Sequence, residues 1–533
     1  YYVGDASVYL FGKNGEAPND SILYKNLNIH YYDKLRVRPN MLYRWMNYQQ
    51  FVRSKQMRAS NRTRLYSQYR QEQVQEKLSQ LGIFSYLDMQ YAPRDTTAAC
   101  DTLDVTMQAT FAKPLDAELE LNVVTKSNDQ TGPGASFGVT RNNVFGGGES
   151  WNVKLKGSYE WQTGGGEKSS LMNSWEMGLS TSLTFPRVVF PHLGKREFDF
   201  PATTTFRLYI NQLNRAKYYK LLSFGGNATY DFQPSRTSRH SITPFKLTFN
   251  VLQHQSEDFK EIAEANPALY VSLRNQFIPA MEYTYTYDNA SVRRIKNPIW
   301  WQSTVTSAGN ITSLIYRAFG KPFNEEDKSL LGAPFAQFVK LNTELRHLWN
   351  IDKNNAIASR MAVGALFTYG NATIAPYSEQ FYVGGANSIR AFTVRSVGPG
   401  GYHPEEGKYS YLDQTGTFRF EANVEYRFRI FKSFWGATFL DAGNVWLLRK
   451  DRKLLADGTE ARPNSQLRLK TFPKQIALGT GVGIRYDMDI LVFRLDFGIP
   501  LHLPYDTDRS GYYNVTGAFL KNLGIHFAIG YPF

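Results

Sequence analysis

The sequence predicts an all-β membrane fold: an antiparallel transmembrane β-barrel of about sixteen strands, preceded by a small α/β domain. Three observations carry the prediction. Long segments in which apolar and polar residues alternate recur from residue 117 to the end of the chain. No stretch reaches the roughly 18 to 20 consecutive apolar residues that a spanning helix requires. Aromatic residues make up 15% of the chain, with 41 Gly, at a mean hydropathy of -0.41. A barrel strand needs only about 9 to 11 residues with every second one apolar, so low hydropathy is compatible with spanning a bilayer.

The helical signals lie before residue 85. Pro39 to Asn47 carries Met41, Leu42 and Trp45 at helical spacing behind a first-turn proline, and Gln71 to Leu81 carries Val74, Leu78 and Leu81 and stops at Gly82. Strand-like runs flank them at Leu27 to Tyr32, Ile83 to Tyr91 and Leu103 to Phe111. The resulting β-α-α-β-β order predicts one compact domain over residues 25–114, while 1–24 has no clear pattern. The chain starts at Tyr1 with neither Met nor a leader, so it reads as a processed product or part of a longer one.

Residues 115–533 form the expected barrel. In Thr417 to Phe431, Phe418, Phe420, Ala422, Val424, Tyr426, Phe428 and Ile430 alternate with Arg419, Glu421, Asn423, Glu425, Arg427 and Arg429. A strand puts these two sets on opposite faces, one suited to lipid and one to a wet interior. Alone, this strand fits a soluble sandwich equally well. Repetition and length decide for the barrel: similar segments begin near 117, 134, 150, 170, 202, 217, 239, 272, 298, 334, 354, 415, 433, 472, 488 and 518. The last presents Leu523, Ile525, Phe527, Ile529, Tyr531 and Phe533 on one side. A free edge in lipid leaves backbone groups unpaired, so this strand, running to Phe533, is expected to close against the first, at Leu119, Leu121 and Val123. Gly524, Gly530 and Pro532 weaken that ladder, which fits either an opening seam or a frayed chain end. Trp300, Trp301, Tyr283, Tyr285 and Tyr287 suit interfacial girdles. The stretch 371–416 is too long and too aromatic for a passive connection.

The formal charge of +14 is scattered along the chain, which argues for wet rims and lumen and against a nucleic-acid surface. Cys100 is the only cysteine, and no pair among the eight histidines has metal-ligand spacing. Gly134-Ala-Ser136-Phe-Gly138 matches a nucleophile-elbow pattern but leads into a strand, and Gly479-x-Gly481-x-Gly483 lies inside one; hydrolase and phosphate-cradle readings both need a following helix. No enzyme activity, metal or cofactor is expected.

FYVGGANSIRAF, Phe381 to Phe392, resembles the loop motif of the BamA/TamA superfamily of outer-membrane assembly and translocation proteins, with Ala391 where that motif usually has glycine. FLDAGNVW, Phe439 to Trp446, resembles the family's Asp-x-Gly strand, and GVGIRYDMDILVFRLDFGIP, Gly481 to Pro500, its penultimate hairpin. NVFGGGE, Asn143 to Glu149, is similar to the turn after the second barrel strand, and LSQLGIFSYLDMQY, Leu78 to Tyr91, looks like part of a POTRA domain. VRSVGPGGY, Val394 to Tyr402, looks closer to the TamA-like branch.

The resemblance implies a loop, 371–416, folded into the barrel and carrying Gly384, Gly385, Ile389, Arg390 and Phe392, with Arg390 anchored on Asp441 and Glu425. It also implies a lateral seam between Leu119, Leu121 and Val123 on the first strand and Leu523, Gly524, Ile525, Phe527, Ile529, Tyr531 and Phe533 on the last. The implied location is the bacterial outer membrane with the POTRA domain in the periplasm. Implied partners are unfolded outer-membrane client polypeptides, membrane lipids and accessory assembly proteins. The function so implied is insertion or translocation of such clients; the alternatives are a two-partner secretion pore with one dedicated client and a passive porin.

Overall fold

The computed structural model describes the chain outside residues 13, 26, 47–65, 98, 126–129, 163–173, 191–201, 216–218, 258–259, 261–274, 291–294, 321, 323–328, 331–332, 371–374, 377–378, 405–413, 451–459, 461, 489–490 and 519–521. The N-terminal sheet contains β1 Tyr2–Phe11, β2 Asp20–Tyr24, β3 Leu27–Tyr31, β4 Phe84–Pro93 and β5 Thr102–Phe111 in the order β2-β3-β1-β5-β4. Helices α1 Pro39–Met46 and α2 Gln68–Gln80 cover one face. The core is the inward set of each element: Val8 and Leu10, Leu27 and Ile29, Met107 and Ala109 from the sheet, against Met41, Leu42, Val74 and Leu78 from the helices.

The stretch 1–24, unassigned from sequence, thus supplies the central strand. β1 pairs in parallel with both β3 and β5, so the domain begins before residue 25. Its alternation was masked by a bulge: the register slips between Val3 and Ala6, and the Asp5 amide donates to the Asp104 carboxylate at 2.8 Å instead of to a backbone carbonyl.

Sixteen antiparallel strands form the second sheet: β6 Leu115–Thr125, β7 Gln130–Asn142, β8 Ser150–Gln162, β9 Ser174–Phe185, β10 Ala202–Arg215, β11 Tyr219–Phe232, β12 Ser238–Gln255, β13 Gln276–Asp288 and β14 Ile299–Ala308. After the small pair β15 Ser329–Leu330 and β16 Ala333–Pro334 come β17 Phe338–Asn350, β18 Asn355–Thr368, β19 Phe418–Phe431, β20 Phe434–Trp446, β21 Ala477–Asp487, β22 Val492–His502 and β23 Gly524–Ile529. Each starts within six residues of its expected position. Along β19, Glu421, Asn423, Glu425 and Arg427 are buried while Val424 and Tyr426 are exposed. A soluble sandwich would do the reverse, so this strand settles the architecture: apolar residues outward, charges inward.

Three local expectations fail. A helix, α3 Asn310–Ala318, lies well beyond residue 85, with Thr312 and Ser313 buried and Ile311, Leu314 and Ile315 exposed. Trp300 points into the lumen, where the Arg346 guanidinium lies 4.5 Å from its ring; it leaves Trp301 with Tyr283 on the lipid side, since neighbours on a strand alternate faces. The last strand ends at Ile529, and Gly530, at φ +87°, turns the chain inward, so that Arg427 donates to the Phe533 carbonyl at 3.3 Å.

The turn after β7 braces the two parts. The Gly146 carbonyl accepts from the Arg38 amide at 2.6 Å, and the Asn143 side chain donates to the Arg36 carbonyl at 2.8 Å. Buried Glu149 holds the turn by accepting from the Gly147 amide at 2.8 Å.

Candidate functional site

The described part of the connection between β18 and β19 lies inside the barrel and packs there in two layers. One is apolar: Phe381, Val383, Ile389, Ala391 and Phe392 of the loop pack on Ala280, Ala308, Phe338, Leu366, Val445 and Ala477 of the wall. The other is ionic and centred on Arg390, which is fully buried. Its Nε and Nη2 donate to the two oxygens of Asp441 at 2.8 and 2.9 Å, its backbone amide donates to the same carboxylate at 3.0 Å, and its Nη1 donates to Glu425. The guanidinium also lies 3.6 Å from the centre of the Phe439 ring. A planar fork between two carboxylates, stacked on a ring, is a geometry lysine cannot reproduce.

The loop tip is shaped for this contact. The amide of Gly384, at φ +105°, donates to the Ser388 hydroxyl at 3.0 Å, and the Gly385 amide donates to the Phe392 carbonyl at 2.7 Å. Ser388 in turn donates to Glu421 at 2.6 Å, and Asn423 donates to the Ser388 carbonyl at 2.8 Å. Ala391 has no left-handed backbone, so the residue replacing the usual glycine causes no strain there. Room for its methyl comes from the wall: a side chain on Gly479 would collide with the Ala391 methyl, and one on Gly498 would lie 3.0 Å from the Ala391 Cα.

Four participants escaped the sequence reading. Arg485 bridges Glu425 at 3.1 Å and Asp496 at 2.6 Å, and Arg494 holds the loop directly by donating to Asn387 at 2.7 Å. The fourth is His526 of β23, whose Nε2 donates to the Arg390 carbonyl at 2.7 Å, tying the last strand to the loop tip. The first three occupy inward positions of β21 and β22, so their alternation with Ile484, Leu495 and Phe497 was the available signal. The lumen here is solvent-excluded where a wet one was expected, because the inserted loop displaces the water.

The seam also differs from expectation. β23 has six residues against eleven in β6, and pairs only with β22, from Gly498↔Gly524 to Phe493↔Ile529. Among the described residues no ladder joins β23 to β6. Leu119 and Leu121 on β6 and Ile525 and Phe527 on β23 face outward and are exposed, the Val123 backbone pairs with Pro133, and Leu523 precedes β23. Tyr531 and Phe533 lie past the end of the strand beside Arg427, with ring centres 4.2 and 5.8 Å from its guanidinium, and Tyr531 also donates to Asp487 at 3.4 Å. The strand is short because Gly530, whose amide still donates to the Val492 carbonyl at 2.7 Å, takes φ +87°, and Pro532 beyond it has no amide hydrogen to donate.

Sixteen strands with apolar faces outward and an ion-paired loop locked inside define an outer-membrane β-barrel. The chain belongs to the Omp85 superfamily, whose domain model matches residues 143–533. A structure of BamA from Haemophilus ducreyi lacking POTRA domains 1-3 shares the fold, with a TM-score of 0.59 and 12% identity over 96% of this chain and 88% of that one. CdiB from Acinetobacter baumannii (TM-score 0.46, 12% identity, 87% of this chain and 68% of that) and CdiB from Escherichia coli (0.42, 12%, 99% and 90%) are more distant. At the level of the family, the protein is a bacterial outer-membrane barrel for insertion or secretion of polypeptides.

Proposed function

We propose that this protein inserts outer-membrane polypeptides through a lateral opening between β6 and β23, with the N-terminal domain acting as a periplasmic, POTRA-like receiver. The observation that carries the reading is the unpaired seam. A six-residue terminal strand faces an eleven-residue first strand with no ladder between them among the described residues. Unpaired strand edges template an incoming strand by β-augmentation, and among the described residues no other pair of wall neighbours offers one. Edge strand β4 of the N-terminal sheet offers the same chemistry to an extended client. The step is non-covalent. His526 and the Arg390 carbonyl couple seam and loop, so moving β23 outward breaks a contact to the loop tip.

The test is a crosslink. Leu121→Cys and Ile525→Cys, in a chain carrying Cys100→Ser, are oxidised and assayed for client insertion into vesicles. Loss of insertion that reduction restores supports the lateral route. Full insertion with the crosslink confirmed by mass spectrometry excludes it and points to passage through the lumen, as in a secretion pore.

A further inference from the structure

The lipid face of the barrel is not uniform. Between β8 and β12 it sinks into an apolar groove of about 870 Å³, floored by Gly226 and Ala228 and walled by Phe206, Leu208, Phe245 and Leu247. The floor exists because β11 presents its two smallest outward residues side by side, while its partners present large ones in register: Phe206 and Leu208 on β10, Phe245 and Leu247 on β12. The volume is near the upper end of the ~300 to 1,000 Å³ range of small-molecule sites.

One strand beyond the Trp151 wall of the groove stands a cation, Arg141. Cross-strand register gives one continuous outward row, Arg141–Trp151–Leu183–Phe206–Ala228–Phe245. Arg141 lies one residue from the end of β7 at the rim beside the N-terminal domain, whereas Phe245 lies seven residues into β12, so the row climbs from the rim into the wall. Arg141 is exposed, flanked by Leu115 and Trp151, and among the described residues has no ion-pair partner. From Arg141 to Ala228 is four strand spacings, about 19 Å at ~4.8 Å each. Because barrel strands tilt by about 35 to 45°, such a row rises about 11 to 14 Å along the membrane normal, most of the ~15 Å hydrocarbon depth of one leaflet.

We propose that this row seats one glycerophospholipid of the leaflet on the N-terminal-domain side, its phosphate on Arg141 and an acyl chain in the groove over Gly226 and Ala228. A cation at the rim and a predominantly apolar channel that rises through most of one leaflet's hydrocarbon depth match an amphiphile of that polarity. A polypeptide would find no backbone partners, because β10, β11 and β12 are each paired on both sides. Trp151, half-exposed between Arg141 and the groove, donates its indole N–H to Thr181 at 2.8 Å and stands where an interfacial aromatic belongs.

The test is native mass spectrometry of the full chain, released from detergent micelles titrated with 1-palmitoyl-2-oleoyl-phosphatidylglycerol. The wild type retains one lipid. Arg141→Gln raises the lipid concentration for half-occupancy about tenfold, as loss of one charge-assisted contact dictates, and Arg141→Lys recovers most of it. Ala228→Trp fills the groove and removes the retained lipid with Arg141 intact. Equal retention by wild type, Arg141→Gln and Ala228→Trp, all shown folded by far-UV circular dichroism, overturns the seat; sensitivity to Ala228→Trp alone overturns the phosphate contact. No client enters the assay, so its failure leaves the insertion reading standing.

Discussion

Replacing Arg390 by methionine keeps most of its volume and removes its charge, and the structure fixes where the cost falls. Glu425 keeps two partners, Arg427 at 2.8 Å and Arg485 at 3.1 Å. Among the described residues Asp441 keeps only uncharged donors, the residue-390 amide at 3.0 Å and Asn423 at 2.9 Å, inside a site with no solvent exposure. Stranding a buried carboxylate in this way costs about 3 to 5 kcal/mol. The cost is borne by the docked loop, because the undocked loop lets water reach Asp441. At ~1.4 kcal/mol per factor of ten, amide exchange in the loop tip should accelerate by a hundredfold or more. Native-state hydrogen exchange on the peptide covering 381–392 reads this directly, through the Gly385 amide that donates to the Phe392 carbonyl. Adding Asp441→Asn removes the stranded charge, so the double variant should regain at least about 2 kcal/mol. Exchange within threefold of wild type in the single variant, or strictly additive effects in the double, would refute the anchoring argument.

A side chain at residue 479 should push the loop tip out. Gly479→Val costs about 1 to 3 kcal/mol of loop docking, while Gly479→Ala combined with Ala391→Gly restores it, since the methyl has only moved from loop to wall; the same exchange experiment on 381–392 checks both. In the N-terminal domain Leu78 is fully buried against both layers. Leu78→Ala should destabilise that domain by about 2 to 5 kcal/mol, seen as faster exchange of the β1 amides with the barrel strands unaffected. The Arg94 guanidinium, 2.7 Å from Asp104, together with the Asp5 amide, holds the Asp104 carboxyl below the usual carboxylate range. A depressed folded value means the stabilisation is complete above about pH 4 and is lost as pH falls through the folded value. Both side chains are more than a third exposed, so screening limits it to under about 1 kcal/mol. Asp104→Asn should therefore slightly weaken β1 protection at pH 7 and make no difference near pH 2, as exchange profiles at the two values would show.

Period-two alternation by itself determined the sixteen strands, because which face a side chain takes on a strand depends only on parity along the chain. Helical spacing likewise located α1 and α2. The Arg390 contacts with Asp441 and Glu425 came from the loop motif and its likeness to a family, not from any local rule: 51 and 35 residues separate the partners. Local pattern failed wherever local geometry departed from the ideal. The bulge at Gly4 and Asp5 broke the phase of β1, and the apolar face of α3 is exposed, not packed on a core. Only the tertiary structure decided which charges are buried, since Arg485, Arg494 and Asp496 differ from any wet-lumen residue solely in having the loop above them. It also decided the seam. From composition, Ile525 to Phe533 is a good strand, and closure saves the backbone hydrogen bonds of an edge. The described wall carries no such closing ladder: the strand ends at Ile529, Gly530 takes φ +87°, and the last aromatic residues lie against Arg427. That choice between lipid-facing strand and inward turn is made by an arginine more than a hundred residues away in sequence, which no reading of neighbours along the chain contains.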